Sequence, residues 1–343
     1  MVSSLPIQAF LEAAESLPVI DVRSPSEFQQ GHIPGAYNIP LFTDKERAEI
    51  GTLYKQKGRD AAFKRGLELV GPKMRSLVEE SDAIAPNRNI LVHCWRGGMR
   101  SSSFGWLLNS AGFEIKTLQK GYKAFRNFVL DIFAKKHSIA ILSGYTGSGK
   151  TEVLHVLGEL GEQVIDLEGL AQHKGSAFGH LGEQRQPTGE QFQNRLGMKL
   201  LQIDSEKPVW LEDESRFIGK RMIPKDLFKQ MREAPVFRLE VPREERVERL
   251  VKDYGKYPIS QLKESVLKIK KRLGGLRTQQ AIEALEKGNL SKVAEFVLHY
   301  YDKAYDYGIK KRDTQQVHRM SFSNACPREI AHILKKEALI QSI

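Results

Sequence analysis

Cysteine is almost missing from this sequence. Cys94 and Cys326 are the only two in 343 residues, too few for a disulfide framework or a structural zinc site, so the chain reads as a reduced protein. Long apolar runs are missing as well. No stretch approaches the roughly 18 consecutive apolar residues of a membrane-spanning helix, so no membrane partner is expected. Met1-Val2-Ser3-Ser4-Leu5-Pro6 lacks the basic segment and apolar core of a secretory leader, and a cytoplasmic location is expected. There is no internal repeat and no low-complexity tract. Acidic charge is in short supply: 42 Asp and Glu against 53 Lys and Arg leave a net charge of +11. The surplus is concentrated in residues 240–343, where 21 basic residues face 14 acidic ones. Such a surplus suits a polyanion partner, because each neutralised phosphate releases counterions; the same side chains would equally solvate helix faces.

What is present is ordinary soluble composition, 41% hydrophobic and 28% charged, in a chain too long for a single core. Short apolar strands alternate with helical stretches, the pattern of an α/β fold. Residues 17–23 and 89–94 read as buried strands, 44–86 as mostly helical and charged, and 101–111 and 125–133 as helices. Ala134-Lys135-Lys136-His137 is a plausible boundary, after which strands are expected at 138–142, 208–213 and 235–241. Beyond Pro242 strand signals fade, and 243–252, 259–273, 277–286 and 290–307 read as helices, with Leu262, Val266, Ile269 and Leu273 at helical spacing. The expected organisation is three segments: 1–134, 135–242 with a parallel sheet, and a helical, basic 243–343 packed on the second. A monomer is expected.

Two motifs carry chemistry. In His93-Cys94-Trp95-Arg96-Gly97-Gly98-Met99-Arg100-Ser101 a cysteine leaves a strand, enters a glycine turn and precedes a helix. Backbone N–H groups, the helix N-terminus, Arg96 and Arg100 together favour a thiolate there, and the paired glycines permit the curvature of an anion cradle. Cys94, Arg96 and Arg100 are the candidate catalytic residues. Cys326, in Ala325-Cys326-Pro327, lacks such a setting and reads as inert. The second motif, Gly144-Tyr145-Thr146-Gly147-Ser148-Gly149-Lys150-Thr151, fits the phosphate-loop pattern between a strand and a helix. Gly144, Thr146, Gly147, Ser148, Gly149, Lys150 and Thr151 are the candidate phosphate-binding residues. Thr151 is a candidate Mg²⁺ ligand, with Asp213 or its neighbour Glu212, at the end of Val209-Trp210-Leu211-Glu212-Asp213, as its partner. The loop identifies a phosphate and not the whole ligand: ATP and a prenyl diphosphate offer it the same diphosphate. The segment His173–His180 resembles an anion-contacting loop.

Cys-x5-Arg-Ser is shared by cysteine-dependent phosphatases and by sulfur-transfer domains. Upstream, Asp21-Val22-Arg23-Ser24-Pro25-Ser26-Glu27-Phe28 and Gly31-His32-Ile33-Pro34-Gly35-Ala36-Tyr37-Asn38-Ile39-Pro40 closely resemble the rhodanese family, in which the cysteine carries a persulfide and these upstream segments are mainly structural. Leu118-Gln119-Lys120-Gly121-Tyr122 resembles the family's closing strand and loop. The cysteine loop is one residue longer than common rhodanese loops, which leaves room for a tetrahedral oxyanion such as selenophosphate.

A rhodanese domain followed by a phosphate-loop domain resembles, over essentially the whole chain, the tRNA 2-selenouridine synthase family. The fold implied is an N-terminal rhodanese-like domain and a P-loop NTPase-like α/β domain with a helical C-terminal extension. The function implied is that of a transferase acting on wobble 2-thiouridine (U34) in the tRNAs for lysine, glutamate and glutamine. Geranyl diphosphate would first alkylate the sulfur; selenium from selenophosphate, delivered by a selenophosphate supply, would then replace the geranylthio group. On this resemblance Lys268, Lys270, Lys271, Arg272 and Arg277 are the candidate RNA-binding residues, Lys310-Lys311-Arg312 is a second basic cluster, and Tyr300, Tyr301, Tyr305 and Tyr307 are either stacking surfaces or core. The competing readings are a P-loop-coupled rhodanese-type sulfurtransferase, a phosphatase using the Cys94 loop, and a non-catalytic RNA-binding protein.

Overall fold

The computed structural model describes residues 3–310 and 312–340. It divides into two units: Met1–Ile132 with Gln193–Met198, and Phe133–Phe192 with Lys199–Ile343.

The first unit is built on a five-stranded parallel sheet. Along the chain run β1 (Ser3–Leu5), α1 (Ile7–Ala13), β2 (Val19–Asp21), α2 (Pro25–Gln30), β3 (Tyr37–Asn38), α3 (Asp44–Val70), α4 (Met74–Ile84), β4 (Asn89–His93), α5 (Met99–Ser110), β5 (Glu114–Leu118) and α6 (Gly121–Ala134). The spatial order is β1-β5-β4-β2-β3, so β4 is central. A central parallel strand is covered on both faces and must be apolar throughout. Ile90, Leu91 and Val92 meet that requirement at 0% exposure, with Ile20, Phe104, Leu108 and Ile115 packed in the same core. The charged stretch 44–86 is α3 and α4 joined by a single 3₁₀ turn, Gly71–Lys73. Thr43 and Glu46 form a capping box at its start, and Gly58, at φ 83°, breaks α3 into two arms.

The second unit contains β6 (Ile139–Gly144), α7 (Lys150–Glu159), β7 (Gln163–Ile165), α8 (Leu167–Ala171), α9 (Gly189–Leu201), β8 (Val209–Glu212), the ribbon β9 (Phe217–Ile218) and β10 (Arg221–Met222), α10 (Lys225–Glu233), β11 (Val236–Glu240), α11 (Arg243–Tyr254), α12 (Ile259–Lys268), α13 (Lys270–Leu273), α14 (Gly275–Glu286), α15 (Leu290–Ile309), β12 (Val317–Ser321) and α16 (Pro327–Ile340). Its parallel sheet has the order β12-β11-β6-β8-β7. The chain runs outward from β6 to β7, returns through β8, and then builds β11 and β12 on the other side. The carboxyl end of β6 is therefore the switch point where parallel sheets bind ligands. The register Leu142↔Glu212 brings the end of β8 beside it.

The C-terminal region is helical as expected but contains one strand that the fading strand signal concealed. Val317-His318-Arg319-Met320-Ser321 carries two basic residues and has no buried position, yet pairs in parallel with β11 over all five residues. It is a sheet edge, where alternation between a buried and a solvated face is weak, and α16 packs Ile330 and Leu334 into the core beneath it. A separate apolar cluster, including Phe178, Leu262, Val266, Leu273, Leu285 and Val297, holds α12–α15 and the 173–181 segment together.

Candidate functional site

Cys94 follows the last residue of β4 and is 3% exposed. Its Sγ lies 3.3 Å from Ser101 Oγ, which in turn donates to the Gly98 carbonyl at 3.1 Å. The turn is closed from behind by the segment after β5. Gly121, at φ 57°, comes so near that a Cβ there would lie 2.3 Å from the Cys94 carbonyl oxygen. Tyr122 and Lys123 donate their N–H groups to the carbonyls of Cys94 (2.8 Å) and Trp95 (3.0 Å). Those carbonyls are thus drawn to the back of the loop, while the N–H groups of Trp95, Arg96, Gly97 and Gly98 donate to no backbone carbonyl among the described residues. That is the wiring of an anion cradle around the Cys94 thiol.

The two arginines of the loop are placed differently. Arg96 is exposed. Arg100 is half-buried and donates to Glu27 at 2.6 Å, with Arg47 3.7 Å away on the other carboxylate oxygen. Burial pushes the Glu27 carboxyl up, but the Arg100 pairing outweighs it and holds the group below its usual range. Arg100 is therefore oriented by Glu27 rather than free to swing, a contact that sequence spacing did not reveal.

Behind the loop lies a buried ion pair. Asp21 and Arg23 are both 0% exposed, and the Arg23 guanidinium donates to Asp21 at 2.6–3.0 Å, to the Gly31 carbonyl at 2.6 Å, and stacks 3.8 Å from the Tyr122 ring centroid. His93 Nε2 is 3.7 Å from the same carboxylate. Burial pushes His93 down, so at neutral pH it is uncharged and Arg23 carries the pairing. Burial also pushes Asp21 up, yet the charge of His93 when protonated, with the hydrogen bonds and charge of Arg23, outweighs that and holds it low. Asp21→Asn leaves a buried guanidinium without its counter-charge and is expected to cost about 3–5 kcal/mol of stability. The stabilisation is fully present above the ordinary value of 3.8 and disappears as pH falls through the lower folded value, so the gap between wild type and variant should narrow in acid. Urea unfolding at several pH values measures this; equal midpoints at neutral pH would refute it.

In the second unit the turn from β6 to α7 is a second cradle. Gly147 (φ 81°) and Gly149 (φ 79°) are left-handed, and a Cβ at Gly147 would lie 2.9 Å from the Arg246 carbonyl. The N–H groups of Thr146, Gly147 and Gly149 donate to no backbone carbonyl among the described residues. Lys150 Nζ rests on the Gly144 carbonyl at 3.0 Å and 5.2 Å from the Tyr305 ring centroid. Ser148 is buried. Two further cations belong to this site: Arg249 Nη1 donates to the Gly147 carbonyl at 3.3 Å, and Arg246 Nη1 to the Thr146 carbonyl at 3.3 Å while paired with Asp302 at 2.8 Å. Sequence reading missed both. Their signal was the spacing Arg243, Arg246, Arg249, which places three guanidinium groups along one face of a helix following a sheet strand.

Of Asp213 and Glu212, it is Glu212 whose carboxylate meets Thr151 at this cradle. Thr151 Oγ1 donates to Glu212 Oε1 at 2.7 Å. Asp213, one residue on, is turned away: it accepts from Arg312 at 2.6 Å and Ser143 at 2.8 Å, with Arg232 at 3.6 Å. Successive strand residues point to opposite sides, so only one of the pair can face the loop. Arg312 is 7% exposed and committed to Asp213 and the Met231 carbonyl, so it belongs to the core and not to a surface cluster; Lys310 is exposed, and Lys311 lies outside the described residues. Glu168 and Glu214 crowd in beside Glu212. Burial, and then repulsion from neighbouring carboxylates, Glu214 and Glu212 acting on Glu168 and Glu212 on Glu214, pushes the carboxyls of Glu168 and Glu214 up, and burial raises that of Glu212. The 173–180 segment caps them, since a Cβ at Gly175 would lie 2.7 Å from Glu168 and 2.8 Å from Glu214. Glu212 Oε2 is buried without a hydrogen-bond partner. That oxygen and the Thr151 hydroxyl suit a hard divalent cation. No group of three His, Cys, Asp or Glu side chains forms a ready metal site among the described residues, so a Mg²⁺ here would need oxygens from a bound diphosphate and water.

Residues 7–128 match the profile of the rhodanese-like domain, and residues 137–337 that of the tRNA 2-selenouridine synthase AAA domain. The chain belongs to the tRNA 2-selenouridine synthase family. A protein of that name from Shewanella denitrificans is 35% identical over 88% of this chain and 90% of its own length. Those of Bdellovibrio bacteriovorus (35%, 87% and 90%) and Hydrogenovibrio crunogenus (36%, 87% and 91%) are similar to it to the same degree.

For a family whose name specifies tRNA, the basic residues matter. Lys268, Lys270, Lys271, Arg272 and Arg277 are all exposed, on the stretch where α12, α13 and α14 succeed one another. Lys268 pairs with Glu264 at 3.1 Å, and Arg272 donates to the Tyr300 hydroxyl at 2.9 Å. Of the tyrosines, Tyr307 is 65% exposed, whereas the Tyr301 hydroxyl accepts the Ala177 N–H at 2.7 Å and Tyr305 faces Lys150. No described helix is long and apolar enough to cross a membrane.

Proposed function

We propose that the protein converts the wobble 2-thiouridine (U34) of tRNA to 2-selenouridine by way of S-geranyl-2-thiouridine, with geranyl diphosphate and selenophosphate as co-substrates. The observation that carries this reading is similarity along nearly the whole chain to synthases of that name, with both anion cradles intact, one around Cys94 and one around Lys150. In the first step the thiouridine sulfur attacks C1 of geranyl diphosphate, the C–O bond breaks, and diphosphate leaves. The Gly144–Thr151 loop, with Lys150, Arg246 and Arg249, holds the negative charge that develops on the leaving group. Thr151 and Glu212 would hold a Mg²⁺, which supplies further charge neutralisation there. In the second step the selenium of selenophosphate bonds to C2 as the C2–S bond breaks and geranylthiol departs; the Cys94 thiolate then takes the phosphoryl group as the P–Se bond breaks, and water releases it as phosphate. Alkylation is what makes this exchange feasible, because it converts a thiocarbonyl sulfur into one that leaves as a thiol. The Cys94 loop serves as the selenium-handling site, with its free N–H groups, Arg96 and Arg100 around the oxyanion of selenophosphate. Lys268, Lys270, Lys271, Arg272 and Arg277 contact the tRNA backbone, and the tRNAs for lysine, glutamate and glutamine are the substrates.

Nucleoside mass spectrometry of 2-thiouridine-containing tRNA, incubated with geranyl diphosphate, selenophosphate or both, tests the reading. The expected products are S-geranyl-2-thiouridine with the first alone and 2-selenouridine with both. An unmodified nucleoside under all three conditions would overturn it and favour sulfur transfer.

A further inference from the structure

An apolar recess, whose open volume of about 510 Å³ includes solvent at its mouth, lies beside the phosphate loop. Thr146 of the loop forms part of its wall, so the recess and the cradle are continuous. The rest is contributed by α11, α12, α14, α15 and the 176–178 segment, chiefly through Phe178, Leu250, Leu262, Leu285, Val293 and Val297. Three of its polar side chains are engaged with one another: the Tyr254 and Tyr301 hydroxyls bond Ser176, and Tyr301 also accepts from the Ala177 N–H. A nucleobase has several donors and acceptors and would leave them unpaired against such walls. A hydrocarbon chain has none. Thr146 stands both in the cradle, where its amide donates to no backbone carbonyl among the described residues, and in the wall of the recess.

We infer that the recess receives the hydrocarbon chain of an allylic diphosphate whose diphosphate occupies the Gly144–Thr151 loop, and that its depth sets the chain length accepted. The inference rests on the reading that geranyl diphosphate is the alkyl donor, and it selects between the two ligands that the phosphate-loop motif leaves open. It also gives the C-terminal helices a task besides RNA contact: α11, α14 and α15 form the walls.

The test is calorimetric titration of the full-length protein with geranyl diphosphate, dimethylallyl diphosphate, farnesyl diphosphate, inorganic pyrophosphate and ATP. Wild type should bind geranyl diphosphate at least tenfold more tightly than pyrophosphate, with a negative heat-capacity change from apolar burial. Ala294→Phe, which fills the recess, should erase that preference while leaving pyrophosphate affinity within about twofold, the latter serving as the check on folding. Val293→Ala, which enlarges it, should shift preference toward farnesyl diphosphate, and decides the matter if Ala294→Phe fails the pyrophosphate check. Unchanged chain-length preference in both variants would overturn the inference, as would a wild type that binds geranyl diphosphate no better than pyrophosphate. The two readings fail separately. If the variants bind as expected but wild type forms no S-geranyl-2-thiouridine, the recess stands and the proposed reaction falls. If wild type geranylates tRNA and the variants do so with unaltered chain preference, the reverse holds.

Discussion

Cys94→Ser is expected to turn the enzyme into one that makes S-geranyl-2-thiouridine and stops there. Serine is close to isosteric, and its hydroxyl can keep the 3.3 Å contact with Ser101, so the loop should retain its form. What it loses is chemistry: a hydroxyl is not ionised near neutral pH and is a far weaker nucleophile toward the phosphorus of selenophosphate than a thiol. Losing a nucleophile commonly costs several orders of magnitude, so 2-selenouridine formation should fall about a thousandfold or more. Geranylation should be untouched, because Cys94 takes no part in the diphosphate cradle. The measurement is the time course of both modified nucleosides with both co-substrates present. Selenation at the wild-type rate would remove Cys94 from the mechanism; loss of both nucleosides would show that the steps are not divided between the two sites.

Lys150→Ala should produce the opposite pattern. The ammonium is positioned by the Gly144 carbonyl at 3.0 Å and by the face of Tyr305, ready to meet a diphosphate. Charge on the leaving diphosphate grows as the C–O bond breaks, so a cation fixed in advance stabilises the transition state more than the ground state. Removing one such donor is worth about a hundred- to a thousandfold in rate. Arg246 and Arg249 remain beside the loop, so binding should weaken less than turnover, and kcat should drop by more than KM rises. Pre-geranylated tRNA bypasses this step and should be selenated by the variant at the wild-type rate. If selenation of that substrate also fails, the P-loop site is needed in both steps.

Several features were legible because local sequence is sufficient to specify them. An apolar strand, a glycine turn and a helix start in a parallel sheet can set backbone N–H groups inward, and the turns after β4 and β6 both carry N–H groups that donate to no backbone carbonyl among the described residues. The upstream Asp21–Arg23 segment was readable as structural, and the structure supplies the reason: its ion pair is fully buried behind the cysteine loop. Other features depended on residues distant in the chain. The choice between Glu212 and Asp213 turns on which face of β8 meets Thr151 and on the presence of Arg312, 99 residues later, to take the other carboxylate. The tethering of Arg100 by Glu27 spans 73 residues. The strand β12 has no apolar alternation of its own and exists because β11 offers it an edge.

The sequence by itself determined the two-part α/β organisation, the family, and the places of the two glycine turns, because each rests on contiguous residues whose backbone demands are local. Only the tertiary structure decided which acid serves the phosphate loop, which arginines stand over it, and that an apolar recess opens beside it. Those outcomes are sums over side chains brought together from helices far apart in the chain, and helical spacing says which face of each is apolar without saying what that face will enclose.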